Sequence, residues 1–302
     1  MTVAVRPYRD GDRSGLLALV DASTPPFYAT VLHALHGPDE DGHRWKRTRV
    51  AVGPDGSVAG AVTLAHHSVH RGQYALVVGV RAEHRRQGLG RALVDEARRM
   101  RPRPLPMAVR FYAEDTATAA LFRAEHGQVV QTALNLRLVP AELRSWADGR
   151  SVPAGTTVRS LAGVQLDEVA RAWTEMYLWI HEGWTEPPIS MPALGRYAEI
   201  TARDTDRELS AGAWVDSRLL AVALAVDTGG EITLVSETLR REEPDGAALV
   251  AAVLAEGLRR LADRGVCEVI LDGHLSDPHL HPVTTTLPPD VPSAPVLVGR
   301  ID

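Results

Sequence analysis

The 302-residue sequence predicts an α/β (α+β) fold of two domains, each a mixed, mostly antiparallel sheet flanked by helices. Short apolar or alternating segments of strand character are interleaved with amphipathic segments of helical period. The same order of segments runs through the chain twice, and a polar stretch holding Pro140, Gly149, Pro153 and Gly155 separates the two passes. A chain of this length fits two ordinary domains. The expected division is 1–140, a linker at 141–156, and 157–302.

In the first pass, residues 3–6 alternate as a strand, and residues 11–22 set Leu16, Leu17 and Val20 at helical spacing. Residues 23–41 hold Pro25, Pro26 and Pro38 around Phe27, Tyr28, Val31 and Leu32, a broken helix with a face available to substrate. Strands at 49–52 and 58–66 are joined by Gly53-Pro54-Asp55-Gly56, residues suited to a hairpin turn. Residues 74–80 form a continuous apolar strand, 81–87 a polar loop, and 88–100 a helix with Leu89, Ala92, Leu93, Ala97 and Met100 on one face. A strand at 106–112, a helix at 116–126 capped by Asp115 and ended by Gly127, and a strand at 129–138 complete the pass. The second pass has a strand at 157–161, a helix at 166–180 and a hairpin at 211–226 about Asp216-Ser217. A strand at 231–239, a helix at 246–264 capped by Asp245 and a strand at 267–272 follow.

Composition narrows the function classes. A formal net charge of −5 argues against sequence-independent binding of nucleic acid, which depends on neutralising phosphates. No apolar run approaches the roughly 20 residues that span a bilayer. The first ten residues lack the apolar core of a secretory signal, so the expected setting is cytoplasmic, with no membrane partner. The single cysteine, Cys267, falls in the apolar run 266–271 and reads as a buried, inert thiol. His274, His279 and His281 lie with Asp272 and Asp277 among prolines, without a strand pattern to aim the rings together. That tail reads as a mobile loop, and no metal is expected.

The most informative segment is the strand, loop and helix at 74–100, with Arg85-Arg86-Gln87-Gly88-Leu89-Gly90-Arg91 at its turn. A helix amino terminus exposes unpaired N–H groups and the positive end of the helix dipole, and so binds phosphate oxygens. Gly88 and Gly90 remove side chains from that approach, while Arg85, Arg86 and Arg91 add positive charge and forked donors. Arg85-x-x-Gly88-x-Gly90 after a strand ending in Val80 resembles the pyrophosphate loop of the GNAT acetyltransferases, and the similarity of element order covers about the first 140 residues. The resemblance implies acetyl-CoA or another acyl-CoA as co-substrate, two GNAT-like domains, and a small-molecule amine as acceptor. It also implies that the backbone of Val78, Gly79 and Val80 meets the pantetheine arm and thioester, and that Arg85, Arg86, Gln87, Gly88, Leu89, Gly90 and Arg91 meet the diphosphate.

The family often places a tyrosine four residues before the closing glycine of the next helix, to protonate the departing thiolate. That position here is Arg123. Arg123 as a cation, Tyr112 as a substitute, or water are the alternatives. His66 and His67, at the end of the strand beside the acyl site, are the candidates to accept the amine proton. In the second pass the corresponding turn reads Arg240-Arg241-Glu242-Glu243-Pro244-Asp245-Gly246, and its carboxylates oppose a diphosphate. The second domain is therefore expected to be a degenerate repeat that walls the acceptor pocket, with Trp179, Glu182 and Trp184 as lining candidates. The layout resembles tandem members of the family, the mycothiol synthase-like and antibiotic-associated acyltransferases. A non-catalytic acyl-CoA sensor and an aminoglycoside-type resistance enzyme are the competing readings. The second would need an acidic cleft, for which Asp39, Glu40 and Asp41 are available. Either a monomer or a homodimer is compatible.

Overall fold

In the computed structural model, which describes residues 3–20, 32 and 36–302, the strands assemble into two sheets. The first is built on β1 (Ala4–Pro7), β2 (Lys46–Val52), β3 (Val58–His66), β4 (Tyr74–Val80) and β5 (Met107–Tyr112). The hairpin of β2 and β3 turns where Gly53 to Gly56 were expected to turn it, with Gly56 at φ +82°. Eight of the nine residues of β3 are buried. Its faces are covered by α1 (Arg13–Leu17) on one side and α2 (Leu89–Met100) on the other, which is why Val-Ala-Gly-Ala-Val reads as a run rather than an alternation. Helix α2 buries Leu89, Leu93, Val94 and Ala97; Ala92, expected inside, is exposed, and Val94 takes its place in the core.

Helix α3 (Thr116–Ala124) begins at the expected cap, the Asp115 carboxylate accepting from the Thr118 amide at 3.0 Å. Gly127 does not end it in the expected way. His126 takes the left-handed conformation at φ +57°, and Gly127 is required because a Cβ there would stand 2.2 Å from the Phe122 ring. The segment read as one strand at 129–138 is two, β6 (Gln128–Ala133) and β7 (Leu136–Leu138), broken at Asn135 with φ +44°.

That break sends the two pieces to different sheets. The first sheet has the order β1-β2-β3-β4-β5-β13-β6, where β13 (Val296–Ile301) is the carboxyl-terminal strand. The second has the order β7-β12-β11-β10-β9-β8, from β8 (Thr156–Ser160), β9 (Ala211–Val215), β10 (Arg218–Asp227), β11 (Ile232–Thr238) and β12 (Val269–Asp272). Both sheets make three antiparallel pairings and then one parallel pairing in the same order. Each then receives, antiparallel beside its parallel pair, a strand from the other half of the sequence: β13 beside β5, and β7 beside β12. The duplicated units thus exchange strands. The tail read as a mobile loop is ordered, with α8 (Leu280–Thr284) packed in the second core and β13 inside the first sheet.

The segment read as a linker contains α4 (Arg144–Asp148), whose Trp146 and Ala147 are buried against α7 (Gly246–Asp263). The opposite face of the second sheet is covered by α5 (Leu166–Glu182) and by α6 (Met191–Asp204), a helix the sequence reading did not recover. Cys267 lies before β12 and is exposed, contrary to the buried expectation, because the strand begins two residues later at Val269.

The two halves also meet through loops. The Arg71 amide donates to Pro188 O at 2.8 Å and the Ser190 amide to Val69 O at 2.8 Å, so residues 69–71 pair with 188–190. Arg300 on β13 ion-pairs with Glu186. A Cβ on Gly72 would stand 2.0 Å from the Pro187 carbonyl oxygen, so only glycine lets the loops close. Gly72→Ala should lower unfolding stability by about 1–3 kcal/mol through overpacking; a urea midpoint equal to that of the wild type would show that this contact does not hold the halves.

Candidate active site

The parallel pairing of β4 with β5 consists of Tyr74↔Met107 and Ala75↔Ala108 and then stops. The Tyr74 amide donates to Pro106 O on the β5 side, whereas the Arg81 amide donates to Ala59 O on the β3 side. Backbone groups alternate along a strand, so those of Val78 and Val80 face the gap beyond the last pairing. Gly79, by the same parity, spends its backbone groups on Ala61 of β3. Its missing side chain matters instead on the sheet face, where a Cβ would stand 3.2 Å from Leu19. Between the parted strands opens a cavity of about 1040 Å³.

One end of the cavity is the turn into α2. Gly88 sits at φ +82° as the residue before the helix, and a Cβ there would meet nothing within 4 Å, so the space in front of it is open. The Ala92 amide donates to Gly88 O. The amides of Leu89, Gly90 and Arg91 are therefore the orphans of the first turn. Arg85 is fixed by its Nε donating to Val80 O at 2.9 Å. Arg85, Arg86, Gly88, Gly90 and Arg91 all line the cavity. Gly90 also lets α2 approach α3, since its Cβ would lie 3.2 Å from Leu121. Gln87 donates to Glu83 O and the Leu89 side chain is buried, and neither residue lines the cavity.

The far end lies between the halves and is lined by His67, His70, Gln73, Arg110, Trp184 and Thr185. His67 Nδ1 accepts from the amides of Val69 and His70 at 3.3 and 3.1 Å, which leaves the proton of the neutral ring on Nε2. Burial, with His70, Arg110 and Arg71 nearby, pushes His67 down to about 3 and holds it neutral. Its Nε2–H is then a donor and not a base. His70 Nε2 meets Tyr177 Oη at 2.8 Å, and Tyr177 stacks on His181 at 3.7 Å. Burial pushes His70 down to about 4 and His181 well below its ordinary value.

The other predicted positions divide by strand parity. His66 points to the opposite face, stacked on Tyr74 and packed on Trp45, and does not line the cavity. Tyr112 lines it, with burial raising its hydroxyl above the ordinary value. Arg123 is exposed, folded back on the Ala119 carbonyl of its own helix, and is not among the lining residues. Trp184 lines the cavity; Glu182 is exposed, and Trp179 packs against His279. Asp39, Glu40 and Asp41 pair with Arg49, Lys46 and Arg47 of β2 and do not line the cavity. The candidate substrate face at 23–41 lies outside the described residues between 21 and 35, except for Leu32, which lines the cavity. Arg110 and His70 were missed by sequence reasoning. Nothing local marks them, since they reach the cavity only through the parting of β5 and the docking of residues 69–71.

Comparison with known proteins bears on this geometry. Residues 16–125 match the family model described as the acetyltransferase (GNAT) family. Over 254 residues the chain is 30% identical to the mycothiol acetyltransferase of Clavibacter sepedonicus, with 75% of each covered. The chain belongs to the GNAT acetyltransferase family. Its fold is that of tandem members. A tandem GNAT protein from the clavulanic acid biosynthesis pathway superposes with a TM-score of 0.65 at 18% identity, covering 100% of this chain and 98% of that one. A GCN5-related N-acetyltransferase from Sphaerobacter thermophilus gives 0.61 at 20% identity, covering 99% and 95%.

In this tandem GNAT protein the second half repeats the parting of strands and fills it. β11 pairs with β12 only over Thr233↔Ile270, Leu234↔Leu271 and Val235↔Asp272, then runs on alone. Into that gap the chain places His279 and Leu280. Glu237 accepts from the Leu280 amide at 3.0 Å, and its other oxygen stands 3.0 Å from His279 Nδ1. The His279 ring covers the start of α7, where a Cβ on Gly246 would stand 2.5 Å away. Asp245 holds the position of Gly88, left-handed at φ +55°, but its carboxylate makes no cap hydrogen bond. The cap expected of Asp245 is therefore not made.

His67 gives the GNAT fold a pH signature. Its folded value, about 3, lies below the ordinary 6.5, so the unfolded chain binds the proton first. The stability it contributes is complete above pH 6.5 and is lost as pH falls toward 3, at up to roughly 1.4 kcal/mol per pH unit. His67→Gln should flatten the unfolding free energy between pH 4 and 6.5 relative to wild type; parallel curves would show that His67 is not buried neutral.

Proposed function

We propose that the chain transfers an acetyl group from acetyl-CoA to a small-molecule amine held between its two halves, directly and with both substrates bound. The observation that carries this reading is the edge of β4 beyond Ala75, which has no partner strand on the β5 side and runs past Val78 and Val80 into the open start of α2. The residues fit the co-substrate: the orphan amides of Leu89, Gly90 and Arg91, with Arg85, Arg86 and Arg91, would hold the diphosphate. Val78 and Val80 would meet the pantetheine arm. Acetyl-CoA supplies the activated acyl group when bound. His67 Nε2–H would donate to an oxygen at the acceptor end, where a fixed donor stabilises developing negative charge. Among the described residues only Glu114 and Asp115 bring carboxylates to the cavity, and Asp115 is engaged as the α3 cap. The amine proton is therefore assigned to water, and the proton for the leaving sulfur to Tyr112 rather than Arg123.

Titration calorimetry with acetyl-CoA should give one site per chain, lost in Gly88→Glu, whose carboxylate would occupy the phosphate position. No binding to the wild type removes the reading, and two sites per chain would return the second half to function. With an accepted amine, Tyr112→Phe should lower kcat by about 10²-fold, in the range of general acid catalysis, whereas Arg123→Ala should leave it within about twofold. The reverse pattern would move the acid to Arg123. A sensor without catalysis is favoured by the saturated His67 Nδ1 and the outward Arg123; release of CoA thiol with any amine excludes it.

A further inference from the structure

Arg110 has no part in the reaction as proposed above, and its position is unusual. Ala108 makes the last pairing with β4, and Arg110 is the next residue of β5 on the same face, the first side chain past the point where the strands part. Ala75 and Ala108 share that face, opposite to Met107 and Phe111, which pack with α2 and α3. Arg110 therefore projects toward the second half and lines the cavity there. It makes no hydrogen bond or ion pair among the described residues. By contrast, the arginines elsewhere on the first sheet, Arg6, Arg47, Arg49 and Arg300, each meet a carboxylate.

The surroundings of Arg110 are polar but neutral. His67, His70, Gln73, Trp184 and Thr185 line the same end, and Tyr177 and His181 stand behind His70. Its charge acts on His67, His70, Tyr177, His181 and His274, residues drawn from both halves and all at the acceptor end. Of the carboxylates near this end, Asp277 is held by His274 at 3.2 Å, and Asp272 acts on His274 and Tyr197. The diphosphate end has its own three arginines at 85, 86 and 91, so Arg110 is not needed there.

We propose that Arg110 is the anchor of the acceptor site, and that the acceptor is an amine that also carries a carboxylate, bound through the guanidinium fork. This deepens the acetyl-transfer reading and rests on it. The fork matches the two oxygens of a carboxylate in one plane. A single arginine lining this end of the cavity fits a monoanion better than a phosphate dianion. A polycationic acceptor such as an aminoglycoside would be repelled by Arg110, and of the two carboxylates that line the cavity Asp115 is already engaged as the α3 cap.

The test compares L-amino acids with their matched amino-acid amides and with O-phosphoethanolamine as acceptors, following CoA release. Wild type, Arg110→Ala and Arg110→Lys are assayed after calorimetry with acetyl-CoA. The expected result is a kcat/KM for the carboxylate member on the order of 10- to 100-fold above its amide, as for a charge-assisted hydrogen bond. Arg110→Ala should bring that ratio near one and leave the acetyl-CoA affinity unchanged, and Arg110→Lys should restore part of it. Amides or phosphoethanolamine as the better acceptors, a ratio that survives Arg110→Ala, or no turnover in any series while acetyl-CoA still binds would each overturn the assignment. A fall in acetyl-CoA affinity in Arg110→Ala, without loss of the ratio, would overturn it in favour of a cofactor contact. Failure of the wild type to bind acetyl-CoA would instead remove the acetyl-transfer reading, and the acceptor assignment with it.

Discussion

The parting of β4 from β5 after Ala75↔Ala108 is the constraint on which the rest of the molecule depends. Backbone amides in the middle of a sheet are ordinarily paired, and leaving them unmet in an apolar interior costs on the order of 1–3 kcal/mol each. The first half leaves those of Val78 and Val80 facing an open cavity. The second half has the same topology and fills the parting from within: the Glu237 carboxylate accepts from the Thr238 amide of its own strand at 2.7 Å and from the inserted Leu280 amide, with His279 beside it. One fold thus has two outcomes, an open groove and a plugged one, decided by whether the chain places its own side chains between the parted strands.

The exchange of β7 and β13 explains why the halves cannot be treated as beads on a string. β13 lies between β5 and β6, and its Gly299 accommodates the ring of Phe122, which also packs against Phe111. The first core is therefore completed by the last residues of the chain. With Arg300 bound to Glu186 and residues 69–71 paired to 188–190, the seam between halves is fixed. The far end of the cavity, lined by His70, Arg110 and Trp184, sits on that seam. His70, Arg110, Tyr177 and His181 are brought together by the exchange and by the glycine contact at 72, which gives the second half a role in shaping the cavity.

Much of this was legible locally. The hairpin at 53–56, the strand at 74–80, the Asp115 cap and the charge inversion at 240–245 follow from period, turn chemistry and capping, which are short-range properties. What was not legible depended on parity or on distant pairing. His66 and His67 are adjacent in sequence, and only the register Tyr74↔His66 shows that the first faces the core and the second the cavity. Arg110 reads as one arginine in an alternating strand. Gly127 reads as a helix end, yet it is needed for Phe122. The strand at 129–138 has no sequence signal for its division, because the reason is a partner about 130 residues further along at β12. The His-rich tail has the composition of a loop, and is ordered by a buried carboxylate, Glu237, in another strand.

Of the two similar grooves, one is open and the other is closed by the chain itself. Amide hydrogen exchange with and without acetyl-CoA tests this most directly, since it reads the backbone groups in question. Slowed exchange should be confined to residues 78–80 and 88–92, with residues 235–250 and 279–281 unchanged. Protection appearing at the start of α7, or absent from Val78, Val80 and the start of α2, would contradict it.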